Sequence, residues 1–398
     1  MRRPSVTPVL FAALALGCGS ASDEQVLPLG LLLSYSGNVA ANSINSERAL
    51  LMAIEAANQV GGVAGRPLKV LARDTGSDPA KVSAPALELE AANVAVIIGP
   101  DLPDLAVALR ADFAGRTMIM PSFTTASSSH KPHPWFVMGA GTGQVACELH
   151  AQLQAAMPQK PLVISGPNGY DSALAWVLTS RYGIPQIFLP GEEPSNTRTV
   201  QPIIEFGADA YVLTAPAPAA SSLFYTLAAL DRLGPPTRWF LSPSLHTPAL
   251  LENIPRGLLE GTIGVSAVKT DAVGTFGQAF EDRWKDRPLD DAYPFFDAGA
   301  IALLALERAV AKSGVIPEGA GLSEHIVAVT RPGGTQLGWD GLQTGLGLVR
   351  AGQEVEYIGL TGPLNFDASG RTAAAHTSWW TISGHSFQTI PNPSGCPQ

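Results

Sequence analysis

The stretch Arg116-Thr-Met-Ile-Met-Pro-Ser-Phe-Thr-Thr125, with Val94-Ala-Val-Ile-Ile-Gly-Pro100 before it, decides the fold class of this chain. Both segments contain a short apolar run, and the second ends abruptly in small polar residues. Such strands are typical of a parallel sheet that is buried on both faces. Small polar residues at the carboxyl ends of these strands line the crevice in which open α/β sheets bind ligands. The two segments therefore predict an α/β protein with a site for a small molecule.

Strand and helix patterns alternate along the chain, and this alternation predicts parallel sheets with helices on both faces. A first set has strands at 27–33, 68–72 and 94–98 and helices at about 44–59 and 81–92. A second set has strands at 161–165, 186–189, 210–214 and 239–241 and helices at about 145–156, 172–181 and 219–233. A long helix at about 292–312 and a strand at 377–382 follow. The chain thus holds two similar lobes, without a residue-by-residue repeat.

The N-terminus has the pattern of a bacterial secretion signal. Arg2 and Arg3 supply the positive region, residues 9–16 the apolar stretch, and Gly17-Cys18 the cleavage site. Residues 15–18 resemble a lipobox, which implies a signal peptide at 1–18 and a lipid on Cys18. The alternative is an ordinary signal peptide with an incidental thiol. No later segment has the ~18 uninterrupted apolar residues of a spanning helix, so we expect an extracytoplasmic protein held to the membrane by its lipid.

The net charge of the chain bears on its binding partners, and its cysteines bear on a possible disulfide. The net charge is −9 for the whole chain and becomes −11 without Arg2 and Arg3. An acidic chain without basic clusters argues against nucleic-acid binding. With Cys18 committed to lipid, Cys147 and Cys396 form a candidate disulfide in an oxidising compartment, and two free thiols are the alternative.

Eight segments of the chain carry a resemblance through their order, although no single segment is specific. They are Gly30-Leu-Leu-Leu-Ser-Tyr-Ser-Gly37, Gly61-Gly-Val-Ala-Gly-Arg66, Arg73-Asp-Thr-Gly-Ser-Asp-Pro-Ala-Lys81, Ile97-Ile-Gly-Pro100, Met120-Pro-Ser-Phe-Thr124, Tyr170, the helix with Tyr293 and Asp297, and Gly362-Pro-Leu-Asn-Phe-Asp-Ala-Ser-Gly370. In these segments and their order, the sequence resembles the type I periplasmic binding proteins, in particular the leucine/isoleucine/valine-binding branch that serves ABC transporters. Nearly the whole mature chain takes part in the resemblance.

The resemblance implies two Rossmann-like lobes that are joined by three hinge strands and close on a ligand like a Venus flytrap. Hinge closure of this kind is well established for periplasmic binding proteins. We expect lobe one at 26–139 and 268–360 and lobe two at 140–267 and 361–398. This division puts Cys147 and Cys396 in the same lobe, where a disulfide would tether the C-terminal tail to the first helix of lobe two.

The resemblance also implies a set of ligand-binding residues, which are Asn42, Ser122, Phe123, Thr124, Tyr170, Ser244 and Tyr293. Thr124 matches a threonine whose hydroxyl and N–H meet the ligand, and Ser122 a residue whose carbonyl accepts from an ammonium. Tyr170 matches an aromatic residue that closes over the ligand from lobe two, and Tyr293 one that walls the cleft. Helix capping explains Asn42 and 122–125 as well, and core packing explains both tyrosines.

Two departures from the family's pattern bear on the ligand. Where the family has a carboxylate-binding serine, the chain has Pro103, which offers neither a hydroxyl nor an N–H. Asp101 and Asp104 nearby would repel a carboxylate, although we expect Asp101 to cap the helix that starts near Pro103. Ser244 stands where the family often has an acid for the ammonium. Together the departures predict a neutral, aromatic or weakly charged metabolite rather than a zwitterionic amino acid.

Signals of catalysis are missing from the sequence. It contains no Gly-x-Gly-x-x-Gly opening a helix, no Walker loop, no Gly-x-Ser-x-Gly and no His-Glu-x-x-His. His130 and His133 are the only close histidine pair, and nothing supplies the further ligands of a metal site. We therefore expect a binding protein for ABC-type uptake, with no enzyme activity and no cofactor. A ligand-sensing lipoprotein that is not coupled to transport is the alternative.

Overall fold

A computed structural model describes residues 26–37, 40–109, 116–121, 135–166, 169–189, 196–233, 238–267, 270–367, 369–372, 377–391 and 396. The elements are, in chain order, β1 (Leu27–Leu33), α1 (Ala40–Gln59), β2 (Leu68–Asp74), α2 (Ser83–Ala91), β3 (Ile97–Ile98), α3 (Pro103–Leu109), β4 (Met118–Met120), β5 (Trp135–Val137), α4 (Thr142–Ala155), β6 (Pro161–Ser165), α5 (Gly169–Tyr182), β7 (Gln186–Phe188), α6 (Thr197–Phe206), β8 (Ala210–Thr214), α7 (Ala217–Ala229), β9 (Arg238–Leu241), α8 (Pro248–Glu252), β10 (Ile263–Ala267), α9 (Ala272–Trp284), α10 (Ala292–Ser313), α11 (Ser323–Thr330), β11 (Thr335–Leu337), α12 (Leu342–Arg350), β12 (Val355–Gly359), β13 (Gly362–Pro363), β14 (Thr377–Ser383) and β15 (Ser386–Ile390). They form two α/β lobes.

The first lobe is built on a five-stranded sheet with the strand order β2-β1-β3-β4-β5. The recorded strand pairs are all parallel. Because side chains alternate along a strand, β1 sends Leu29, Leu31 and Leu33 into one core and Leu32 into another on the opposite face. Burial on both faces explains why these strands are nearly continuous apolar runs.

Helix α10 is the main support of the first sheet. It is buried along most of its 22 residues, and it ends at Gly314, which adopts the left-handed conformation typical of a helix terminus. The close approach of α10 to α1 depends on Gly299, where a Cβ would lie 2.6 Å from a methyl group of Leu50. A small third sheet, with the order β11-β12-β13, lies alongside these helices in the same lobe.

The second lobe is built on a seven-stranded sheet with the order β15-β14-β10-β9-β8-β6-β7. Strands β6 to β10 pair in parallel, and β14 and β15 extend the sheet as an antiparallel hairpin. Leu162 and Ile164 of β6 enter one core, and Val163 enters the core on the other face. The parallel part of this sheet therefore repeats the design of the first.

The chain passes between the lobes three times: after β5, after β10 and before β14. The limits of the lobes stay a prediction, and the structure adds one detail to them. Leu364 and Phe366, which we had assigned to lobe two, pack in the core of the first lobe. The backbone of Arg371 forms an isolated β-bridge with that of Val137 in β5. Leu364, Phe366 and Arg371 therefore lie with the first lobe, and the position of the third crossing stays a prediction.

A disulfide joins Cys147 on α4 to Cys396 beyond β15, with 6.0 Å between the two Cα atoms. It connects the C-terminal segment to the first helix of the second lobe. Of the helices in the described ranges, none is long and apolar enough to cross a membrane.

Candidate ligand-binding cleft

Each large sheet has a point at which its chain connections change direction. In the first sheet β1 lies between β2 and β3, and in the second β6 lies between β7 and β8. The strand orders of the two parallel parts, β2-β1-β3-β4-β5 and β7-β6-β8-β9-β10, are equivalent. Ligands of open α/β sheets bind outside the carboxyl ends of the strands at this switch point. Each lobe therefore offers one wall of a candidate site.

The wall of the first lobe is a cluster of hydroxyl groups around Asp101. The backbone N–H and the hydroxyl of Ser34, which follows β1, donate to the Asp101 carboxylate at 3.0 and 2.9 Å. The Ser43 hydroxyl on α1 donates to it at 2.9 Å, and Ser34 also hydrogen-bonds Thr75, which follows β2. Burial raises the pKa of the Asp101 carboxyl, whereas the hydrogen bonds from Ser34 and Ser43 oppose this rise.

The wall of the second lobe is organised in the same way around Asp171, in the first turn of α5. Its side chain is fully buried, and its carboxylate accepts hydrogen bonds from the hydroxyls of Ser242 and Ser244 at 3.2 and 3.0 Å. The Thr214 hydroxyl, at the end of β8, donates to the backbone carbonyl of Asp171 at 3.0 Å. Both switch points therefore place one carboxylate among hydroxyl groups.

The two walls meet, because polar contacts between described residues join the lobes. Asp104, in the first turn of α3, accepts a hydrogen bond at 2.7 Å from the backbone N–H of Gly169, the first residue of α5. In another contact between the lobes, the His246 ring pairs with the carboxylate of Asp290. His246 follows β9 and Asp290 precedes α10, and the ring of His246 packs against Trp380 and Phe387. The carboxyl edges of the two sheets thus face each other.

The predicted residues 122–124 lie outside the described part of the chain, so Ser122, Phe123 and Thr124 stay predictions. Asn42 is described, and it lies inside the first turn of α1 rather than before the helix. Its side-chain amide donates to Asp291 at 3.1 Å. Asn42 therefore links the start of α1 to the start of α10 at the mouth of the first lobe.

Both predicted aromatic residues occur in the first turn of a helix, and both are largely buried. Tyr170 on α5 is 6% exposed and packs in a core of the second lobe. Tyr293 on α10 is 9% exposed and lies 5.8 Å from the ring of Phe276. Burial, with Asp290 nearby, raises the pKa of Tyr293 to about 12, so its hydroxyl is neutral. As placed, both are packing residues, and their contact with a ligand stays a prediction.

The structure changes the interpretation of the two departures. Ser244 is not an acid, but its hydroxyl lies 3.0 Å from the carboxylate of Asp171, which comes from a different element. An acid, Asp171, therefore lies beside Ser244, and sequence reasoning overlooked it because Asp171 is 73 residues away in the chain. Our expectation that Asp101 caps α3 is wrong, because its carboxylate accepts from Ser34 and Ser43 instead. Pro103 is the first residue of α3, where its missing N–H costs nothing.

Asp297, which is one of the residues that carry the family resemblance, stabilises the fold of the first lobe. It is fully buried in α10 and accepts four hydrogen bonds, from the hydroxyls of Tyr357 and Thr361 and from the backbone N–H groups of Leu360 and Thr361. These residues follow or belong to β12. Asp297 therefore fixes the end of β12 against α10.

Among the described residues, no group of three or more His, Cys, Asp or Glu side chains is placed to hold a metal ion. A cavity of about 720 Å³ lies at the amino ends of β9 and β10, lined by residues such as Arg238, Trp239 and Ile263. It is at the edge of the second sheet opposite the switch point, so it is separate from the cleft.

A two-lobed α/β fold with facing switch points is the architecture of a clamshell binding protein. A family model described as periplasmic binding protein matches residues 26–380, and the chain belongs to this family. It is a family of binding proteins rather than enzymes. A search of curated protein sequences gave no match.

Solved structures share the fold at low sequence identity. A leucine-binding protein, LivK, from Thermotoga maritima is similar over 92% of this chain and 98% of its own, with 15% identity and a TM-score of 0.74. The branched-chain amino acid transporter substrate-binding protein LivJ from Streptococcus pneumoniae, solved with isoleucine, covers 92% and 99%, with 14% identity and a TM-score of 0.72. An ABC transporter solute-binding protein from R. palustris, solved with benzoate, covers 92% and 95%, with 16% identity and a TM-score of 0.70.

Proposed function

We propose that the chain is an extracytoplasmic solute-binding protein that captures a small molecule between its lobes for uptake by an ABC-type transporter. The observation that carries this proposal is the meeting of the two switch points. Ser34 and Asp101 on one side and Asp171 and Ser244 on the other are polar groups at the places where α/β sheets bind ligands. The substrate-binding roles of the LivJ and benzoate-bound proteins are consistent with it.

The polar groups of the cleft favour a ligand that donates hydrogen bonds. Asp101 and Asp171 bring a carboxylate to each wall, and a carboxylate only accepts. Asp104 adds a third at the contact between the lobes. A ligand carboxylate would face these charges without the serine that Pro103 replaces. We therefore propose a neutral or weakly charged metabolite, aromatic compounds included, whose hydroxyl or amino groups bond to the two walls.

A thermal-shift panel on ligand-stripped protein tests both parts of this proposal. It comprises leucine, isoleucine and valine, benzoate, benzyl alcohol and benzylamine, together with mass spectrometry of whatever copurifies. A bound solute at about 100 times its Kd stabilises the folded chain by about 2.7 kcal/mol, which is readily measured. We expect hits among compounds that lack a carboxylate. Micromolar binding of leucine, isoleucine or valine would contradict the ligand class.

Variants of the cleft residues test whether a compound that raises the Tm binds in the cleft. Asp171→Asn removes the charge from the second wall, and we expect it to abolish the shift. Asp209→Asn is the matched control, because Asp209 accepts hydrogen bonds from the backbone N–H groups of Gln159 and Lys160 within one lobe, at 2.8 and 2.9 Å. A ligand that stabilises Asp171→Asn and the wild type equally does not bind at the switch points, and would refute the proposed site.

We also propose that the protein is a lipoprotein. Cys18 and the leader before it lie outside the described residues, so the proposal is supported only by the order of a positive region, an apolar stretch and Gly17-Cys18. A single lipid-modified N-terminus would hold the binding lobes at the outer face of the cytoplasmic membrane, where an ABC-type permease receives its substrate.

A further inference from the structure

The contact between Asp104 and Gly169 is unusual in its chemistry. Gly169 is the first residue of α5, a helix of 14 residues, and its backbone N–H is one of the groups that a helix leaves without an intrahelical partner. The N-terminus of a helix attracts negative charge, through these N–H groups and through the helix dipole. In this chain the anion at that position is the carboxylate of Asp104, which belongs to the other lobe.

Glycine at position 169 is part of the arrangement. A Cβ there would lie 2.3 Å from one carboxylate oxygen of Asp104 and 2.7 Å from the other. Any residue with a side chain would therefore push Asp104 away. Because Asp104 is itself in the first turn of α3, the helices α3 and α5 approach each other end to end across the cleft.

We propose that Asp104 is an internal closing group: its carboxylate occupies the N-terminus of α5 and holds the lobes together in the absence of a ligand carboxylate. The inference rests on the proposed clamshell function of the cleft. In a solvent-exposed position, the loss of a carboxylate from a helix N-terminus shifts an equilibrium by about twofold to fivefold. Asp104 therefore favours the closed over the open form by a factor in this range, before any solute binds.

Small-angle scattering of the ligand-stripped mature chain tests the proposal, because it needs no solute. Asp104→Ala removes the carboxylate, and Gly169→Ala inserts a methyl group in its place. We expect both variants to have a larger radius of gyration than the wild type. Gly143→Ala is the matched control, since Gly143 lies in the first turn of α4 in the same lobe and a Cβ there meets nothing within 4 Å.

The double variant separates a closing contact from a general disturbance of α5. Once Asp104 is alanine, the methyl group of Ala at position 169 has no carboxylate to displace. We expect Asp104→Ala/Gly169→Ala to scatter like Asp104→Ala alone. A double variant that is clearly more expanded would show that Gly169→Ala acts by unfolding α5, and the steric part of the argument would be wrong.

The pair of His246 and Asp290 is a second link between the lobes and needs its own control. The variants are therefore also made in an Asp290→Ala background, where that link is absent. If Asp104→Ala leaves the radius of gyration unchanged in this background as well, Asp104 does not hold the lobes and the proposal is refuted. The scattering experiment contains no solute, so its result does not depend on whether the thermal-shift panel finds a ligand. The thermal-shift result likewise does not depend on the Asp104 contact, and each proposal can therefore fail without the other.

Discussion

Removal of the disulfide between Cys147 and Cys396 should lower the stability of the protein by several kcal/mol. The two cysteines are separated by 249 positions in the chain. In the chain-entropy model, closure of a loop of that length makes the unfolded state less favourable by about 5.5 kcal/mol at 25 °C. If the first lobe stays folded while the second unfolds, the flexible part of the loop shrinks to about 140 residues, and the figure falls only to about 5 kcal/mol.

Measured effects are commonly smaller than the model, so we expect a loss of about 2–5 kcal/mol. For a unit of 150 to 250 residues, each kcal/mol corresponds to about 2–4 °C in Tm, and a loss of about 3 kcal/mol to about 6–12 °C. The assay is thermal unfolding followed by circular dichroism, with and without reductant, on protein that is expressed without residues 1–18 and therefore lacks Cys18. The variant Cys147→Ala/Cys396→Ala should unfold at the lower temperature under both conditions.

Two results would refute this reasoning. Thiol titration of the untreated protein could find both cysteines free, in which case the tail is not tethered to α4. Alternatively, reductant could lower the Tm of Cys147→Ala/Cys396→Ala as much as that of the wild type, in which case the effect has another origin.

The other predictions concern packing and anchoring. In Gly264→Ala, the new Cβ would lie 2.1 Å from the ring of Trp380, so we expect a loss of about 1–3 kcal/mol in urea unfolding, whereas Gly347→Ala, with nothing within 4 Å, should be neutral or stabilising. Equal effects of the two changes would contradict the close packing of Trp380 on β10. In Cys18→Ala, the protein should move from the membrane fraction to the soluble periplasmic fraction, and the lipid-sized mass increment on its N-terminal peptide should be absent. Unchanged fractionation would refute lipid anchoring.

Much of the fold could be predicted because it is local. The alternation of apolar strands and amphipathic helices, the end of the first helix near Gly61, and the long apolar helix with Asp297 are patterns within a few tens of residues. The start of α1 shows the limit of such patterns. We expected the helix from about residue 44, with Asn42 read as a capping residue, but it begins at Ala40. Asn42, Ser43 and Asn45 bond instead to groups elsewhere, namely Asp291, Ser34 and the carbonyl of Arg287.

The site was less predictable, because its polar groups come from distant parts of the chain. Asp171 lies on α5 and Ser244 in the turn that follows β9, and only the order of the strands in the second sheet brings them together. A pattern read along the sequence cannot reveal a pair of this kind. The same holds for Asp104 and Gly169, which are 65 positions apart and in different lobes.

A closing contact that needs no solute changes what a solute must contribute. A ligand shifts an equilibrium between open and closed forms only by its difference in affinity for the two. Where Asp104 already favours closure, a solute needs little extra affinity for the closed form, and groups such as Asp101 and Asp171 can serve to select it rather than to drive the motion. The solute must, however, enter through the open form, so a smaller open population slows its capture. Weakening the Asp104 contact should therefore accelerate binding while it leaves the bound state dependent on the hydroxyls and carboxylates of the two walls.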